Sequence, residues 1–191
     1  MPVTLAGARS RPSCRRTRLA DRTTLMRGYP LPVIGPELHV GDPAPDFRLH
    51  QRGPEGLKDV TLADFAGKTL LISSVFSLET PICEMQTRRF NDEAISLPTD
   101  VEVLVVSMDL PFAQARFIGE KGMHQITAAS DHRDASFGAA YGVLIEPLRL
   151  LSRAVFVVGP DGIVKHVEYV PEVTQEPDYE TALSVARQPI D

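Results

Sequence analysis

The run Thr80-Pro81-Ile82-Cys83 puts a hydroxyl three positions ahead of a thiol, with a proline between them. Proline suits the first turn of a helix, and a threonine before it suits the cap. The pattern predicts that Cys83 lies in a first helical turn. Backbone N–H groups there lack partners, and the helix dipole favours an anion. The thiolate is the reactive form of cysteine, and such a position promotes it. Thr80 can bring its hydroxyl to the same sulfur. The implied chemistry is nucleophilic attack by sulfur. A lone cysteine is more often an inert buried residue, so the argument rests on placement, not on the thiol itself.

That placement needs a strand before the cysteine and a helix after it. Thr69–Phe76 (TLLISSVF) is a nearly continuous apolar run, the pattern of a strand covered on both faces. Cys83 to Leu97 reads as a helix, with Phe90, Ala94 and Leu97 on one stripe and Arg88, Arg89, Asp92 and Glu93 over much of the rest. Val101–Met108 is a second buried strand, and Pro111–Gly119 a helix opened by its proline. Ile126–Ala129 is a short strand, and Ala135–Tyr141 a short helix ended by Gly142. Ala154–Val158 is a buried strand that Gly159-Pro160-Asp161-Gly162 turns into Ile163–Val170. Asp178 caps a last helix, Tyr179–Arg187.

Upstream, Thr23–Arg27 and Leu31–Ile34 flank Gly28-Tyr29-Pro30 as a hairpin, and Gly35–Pro45 is loop. Phe47–Leu49 reads as a short strand, Gly53–Gly56 as a turn, and Thr61 with Asp64 caps a short helix to Phe65. The alternation describes an α/β sandwich whose first crossover is right-handed.

The chain has 191 residues, 43% hydrophobic and 24% charged, which suits one globular domain with or without a tail. No apolar stretch is long enough to span a membrane. Two cysteines exclude a disulfide-stapled scaffold and a four-thiolate metal site. Residues 1–27 hold seven arginines against one acid, Asp21, while the remainder holds 13 basic and 24 acidic residues. The acidic body does not suggest nucleic-acid binding. The basic start lacks the apolar core of a secretory signal and reads as a disordered extension, residues 1–21, ahead of a domain over 22–191. The expected compartment is the cytoplasm, where a thiol stays reduced unless it is catalytic.

TLADFAGK (61–68), SLETPICEMQTRRFN (77–91), VEVLVVSMDLPFAQARF (101–117), SDHRDASFGAAYGV (130–143), LSRAVFVV (151–158) and VPEVTQEPDYETAL (170–183) resemble, in unbroken order, the thiol peroxidase branch of the peroxiredoxins. The resemblance implies a thioredoxin-like sandwich, a central mixed sheet flanked by helices, with an N-terminal β-hairpin, usually as a homodimer. It implies reduction of hydrogen peroxide and organic hydroperoxides with no metal, flavin or haem. Cys83 matches the peroxidatic cysteine. Thr80 matches the threonine whose hydroxyl binds thiolate and peroxide, and Arg153 the arginine that holds the thiolate. Their chemistry agrees: cation, hydroxyl and helix N-terminus stabilise the thiolate and polarise the O–O bond. The product is a Cys83 sulfenic acid.

The chain departs from that family at three places. The usual resolving cysteine in the helix after DLPFAQ is replaced by Ile118, so recycling by an external thiol, thioredoxin or a small thiol, is expected. Cys14, the other thiol, reads as incidental. Phe76 stands where a proline is usual, and Glu79 where aspartate is usual. An alternative reading is a peroxide-sensing or thiol-binding module with slow turnover. A thioredoxin-type disulfide oxidoreductase is disfavoured because Thr80-Pro81-Ile82-Cys83 lacks the first thiol of Cys-x-x-Cys. The histidines 39, 50, 124, 132 and 166 lack ligand spacing, so no metal is expected. Asp131-His132-Arg133-Asp134 reads as a solvated loop, and Arg88 and Arg89 as polar-face residues.

Overall fold

The structure is a computed structural model and describes residues 22–188. The N-terminal extension and Cys14 lie outside the described residues. The strands are β1 (Arg22–Met26), β2 (Tyr29–Ile34), β3 (Arg48–Gly53), β4 (Gly56–Thr61), β5 (Thr69–Ser74), β6 (Val101–Ser107), β7 (Thr127–Ser130), β8 (Leu144–Ile145), β9 (Leu150–Leu151), β10 (Ala154–Val158) and β11 (Val164–Tyr169). The helices are α1 (Pro81–Ala94), α2 (Pro111–Lys121), α3 (Ser136–Ala140) and α4 (Tyr179–Ala186).

Seven strands form a mixed sheet in the order β11-β10-β5-β6-β7-β3-β4. β5, β6 and β7 are parallel neighbours, and β10 lies antiparallel to β5. Every residue of β5 is buried. Its side chains alternate between the two faces, as strand geometry requires. Leu70 and Ile72 join Leu104, Val106, Phe156 and Phe137 on one side. Leu71 joins Val103, Val155, Phe90 of α1 and Leu183 of α4 on the other. Two covered faces explain the unbroken apolar runs of β5, β6 and β10. This is the expected thioredoxin-like sandwich.

Several local readings need correction. The N-terminal hairpin turns on Arg27-Gly28, with φ of 51° and 79°, not on Gly28-Tyr29-Pro30. Two successive left-handed residues give the turn type whose twist matches a hairpin. The short strand read over Phe47–Leu49 starts one residue later and runs further: β3 spans Arg48–Gly53 and pairs with β4 around the 53–56 turn. β4 escaped detection because it is an edge strand, and Gly56 to Asp59 are exposed. Asp131 is fully buried rather than solvated: its carboxylate accepts from the N–H groups of Phe137 and Gly138 at the start of α3, at 3.2 and 2.7 Å.

β1 and β2 form a second sheet with β8 and β9. The hairpin is also tied to the segment after β11. Leu25 N–H donates to Pro171 O at 2.7 Å, and Val173 N–H to Leu25 O at 2.9 Å. The Glu172 carboxylate accepts from Arg27 and Gly28 N–H, each at 3.0 Å, and from Thr174 N–H at 3.2 Å and its hydroxyl at 2.9 Å. The Gly28 N–H bond, with those of Arg27 and Thr174, draws the Glu172 carboxyl down from 4.5 to about 2.

The folded-state value lies below the ordinary one. This clamp therefore stabilises the fold fully above pH 4.5, and its contribution drains away as pH falls to about 2. Urea denaturation of wild-type and Glu172→Gln protein across this range measures it. The wild-type advantage at pH 6 shrinks steadily below pH 4.5.

Candidate active site

The parallel β5 ends at Ser74, and the chain turns through Val75–Thr80 into α1. Thr80 is the cap residue in extended conformation, Pro81 opens the helix, and Cys83 sits in its first turn. The sequence placed this thiol correctly. Cys83 is completely buried in a cluster with Val75, Leu78, Val105, Phe117 and Met123.

Arg153 reaches the same point from the other neighbour of β5. Ala154, the first residue of β10, pairs with Ser74, the last of β5. Antiparallel pairing thus delivers Arg153 to the edge of the sheet where α1 begins. Ser74 donates its hydroxyl to Ser152 O at 2.8 Å and holds this approach. The Arg153 Nη2 donates to Cys83 Sγ at 3.3 Å. Nε and Nη2 also donate to the carbonyl of Val173, at 3.1 and 2.7 Å. Nη1 donates to Gln86 Oε1, and Gln86 Nε2 donates onward to Ser73 Oγ at 2.8 Å.

Arg153 is 1% exposed. A buried guanidinium stays charged, so its donors must find acceptors. The carbonyl and amide oxygens are neutral. Among these partners only sulfur can become an anion, and a dry site strengthens that pairing. Gln86 was not singled out from sequence. The signal was there: a glutamine three residues after Cys83 lies on the same face of the helix.

Thr80 lies at the site, but its hydroxyl donates to Ser77 O at 2.9 Å, and no hydrogen bond joins it to Cys83. Ser77 is in turn fixed by Asp109, which accepts from Ser77 Oγ at 2.8 Å, Leu78 N–H at 2.8 Å and Ser107 Oγ at 2.7 Å. One carboxylate thereby shapes the loop entering α1. In the sequence Asp109 stands merely two positions ahead of the helix-opening Pro111. Its contacts to residues some 30 positions away left no local signal.

The charges around the site are paired. Glu84 beside Cys83 binds Lys121 at 2.7 Å and Arg88 at 3.3 Å, and the Lys121 contact leads in lowering its carboxyl. Arg89 pairs with Glu180 and Glu93, so Arg88 and Arg89 are polar-face residues as read. Ile118 packs against the Cys83 cluster. Phe76 packs between that cluster and the one formed by Val33, Ile145 and Val173. Among the described residues, no group of three metal-ligating side chains converges. No described helix is long and apolar enough to cross a membrane.

Residues 39–183 match the redoxin family. The chain is 52% identical to the thiol peroxidase of Halalkalibacterium halodurans over 161 residues, 84% of this chain and 95% of that one. It is 47% identical to the thiol peroxidase of Bacillus subtilis over 161 residues, 84% and 94% of the respective chains. It superposes on the crystal structure of a peroxiredoxin-like protein from Aquifex aeolicus with a TM-score of 0.78, at 40% identity, covering 86% of this chain and 95% of that one.

Removing the Asp109 carboxylate tests the loop. In Asp109→Ala, the Leu78 N–H and the hydroxyls of Ser77 and Ser107 lose their acceptor. A stability loss of about 1–3 kcal/mol is expected, read by urea denaturation. Cys83 should also be alkylated faster under native conditions as the loop loosens. Asp109→Asn, which keeps one accepting oxygen, should lose less.

Proposed function

The chain belongs to the redoxin family and, within it, to the thiol peroxidases; on that premise we propose which of its residues carry the reaction and how it is completed. The protein reduces peroxides with electrons from thiols. Cys83 attacks as the thiolate. An S–O bond forms to one peroxide oxygen, the O–O bond breaks, and the leaving oxygen takes up a proton and departs as water or alcohol. Cys83 is left as a sulfenic acid. Arg153 holds the sulfur anion and meets the charge that moves onto the peroxide oxygens. Thr80 binds the incoming peroxide by rotating its hydroxyl from Ser77 O toward the sulfur. The observation that carries this assignment is the buried Arg153 Nη2 at 3.3 Å from Cys83 Sγ.

The cycle closes by a one-cysteine route. Ile118, against the Cys83 cluster, cannot form a disulfide. An external thiol attacks the sulfenic acid, water leaves, and a mixed disulfide remains. A second thiol then frees Cys83. Thioredoxin or a small thiol supplies these equivalents, hydrogen peroxide and organic hydroperoxides are the substrates, and the enzyme works as a cytoplasmic homodimer. Residues 1–21 form an extension that takes no part, and 22–191 are the catalytic domain.

Cys83→Ser should abolish peroxide consumption, and Cys14→Ser should leave it nearly intact. Arg153→Ala and Thr80→Val should each slow the second-order reaction with peroxide by roughly tenfold to a thousandfold, the scale for losing one preorganised donor. Unchanged rates in both would overturn the assigned roles. Recycling is read by intact mass after one equivalent of peroxide without reductant. A gain of one oxygen, captured by a sulfenic-acid trap, is expected. A loss of two hydrogens, with a Cys14–Cys83 peptide on digestion, would instead make the extension part of the mechanism.

A further inference from the structure

Two of the hydrogen bonds that aim the Arg153 guanidinium end on one backbone carbonyl, that of Val173. Val173 lies between β11 and α4, in a stretch with no helix or strand of its own. What holds it is the N-terminal hairpin. Val173 N–H donates to Leu25 O at 2.9 Å, Leu25 N–H to Pro171 O at 2.7 Å, and the Thr24 hydroxyl to Pro171 O at 3.3 Å. Between these lies Glu172, whose carboxylate gathers the N–H groups of Arg27 and Gly28 on one side and the N–H and hydroxyl of Thr174 on the other. The hairpin turn is a left-handed pair, and the Glu172 carboxylate accepts from the N–H groups of both its residues. The apolar side of the joint is Val173 itself, 5% exposed and packed with Val33 and Ile145.

We propose that Glu172 is a positioning residue for peroxide reduction: by clamping the hairpin turn to the 171–174 segment it sets the Val173 carbonyl, and through it the direction of the Arg153 guanidinium at Cys83. Glu172 touches neither sulfur nor substrate. It acts two steps away, through a backbone oxygen that any residue at 173 would supply. On this account the N-terminal hairpin is part of the catalytic apparatus. Without the clamp, the 171–174 segment keeps its two backbone bonds to Leu25 but gains freedom to tilt. Nη2 then shares its time between sulfur and other directions. The inference rests on the role proposed above for Arg153.

A double-mutant cycle tests it. The second-order rate constant of reduced protein with hydrogen peroxide is measured for wild type, Glu172→Ala, Arg153→Ala and the double variant. Glu172→Ala should slow the reaction on the order of tenfold, less than outright loss of a preorganised donor. The same change in the Arg153→Ala background should slow it no further. The pH at which the rate reaches half its maximum should rise in Glu172→Ala, as in Arg153→Ala, a shift that loosened packing alone does not produce. Equal slowing by Glu172→Ala in both backgrounds overturns the proposal, as does an unchanged rate in wild-type background. An unchanged rate in Arg153→Ala alone overturns the role of Arg153 instead, so the two failures read separately. If Glu172→Ala does not fold, Glu172→Gln completes the same cycle, since its amide accepts from one turn N–H but not from both.

Discussion

The arrangement turns on one physical demand: a permanent cation, Arg153, is removed from water almost completely. Such a charge is tolerated only where its donors are met. Val173 O takes two of the hydrogen bonds, Gln86 takes one and Cys83 Sγ takes one. Two of the acceptors are neutral, which leaves the sulfur as the natural seat of the countercharge. The donor and its acceptors come from three parts of the chain. The first turns of α1, the start of β10 and the segment after β11 must therefore meet within a few ångström. The mixed sheet makes this possible, because β10 runs antiparallel beside β5 and starts where β5 ends.

Around that centre, two carboxylates do similar work. Asp109 gathers Ser77, Leu78 and Ser107, and so shapes the loop that leads into Thr80. Glu172 gathers the hairpin turn and Thr174, next to the carbonyl that receives Arg153. Both act by accepting several N–H and O–H donors in loops that form no regular ladder. Loop backbone otherwise leaves such donors to water. Thr80 follows the loop that Asp109 holds, and the carbonyl that receives Arg153 lies in the loop that Glu172 holds, while neither acid reaches the thiol.

Phe76 and Ile118, where the resemblance leads one to expect a proline and a cysteine, both lie at the wall of the site. Phe76 bridges two apolar clusters, including the one that encloses Cys83. Ile118 packs against the same cluster. The ion pairs Arg116–Glu79 at 2.5 Å and Lys121–Glu84 at 2.7 Å also tie α2 to the residues around the thiol. Apolar packing of Phe117 and Ile118 together with these ion pairs holds α2 beside Cys83.

Much of this was written locally in the chain. The apolar runs of β5, β6 and β10 announce strands covered on both faces, and Thr80-Pro81 announces the start of α1, because strand burial and helix capping depend on neighbours a few residues apart. Cys83 could therefore be placed in the first turn of α1 from sequence, and the family resemblance pointed to Arg153, which the fold brings to the same sulfur. Edge strand β4 and the two-residue strands β8 and β9 could not be read. Their pairing partners, not their own side chains, make them strands. The burial of Asp131, the amide of Gln86 on the guanidinium, and the clamps of Asp109 and Glu172 were equally invisible. Each depends on groups from distant parts of the chain or on which face of a helix turns inward. Local propensity and spacing decide which residue can become a nucleophile. Only the tertiary fold decides which charges and carbonyls surround it, because the contact to its sulfur joins residues 70 positions apart.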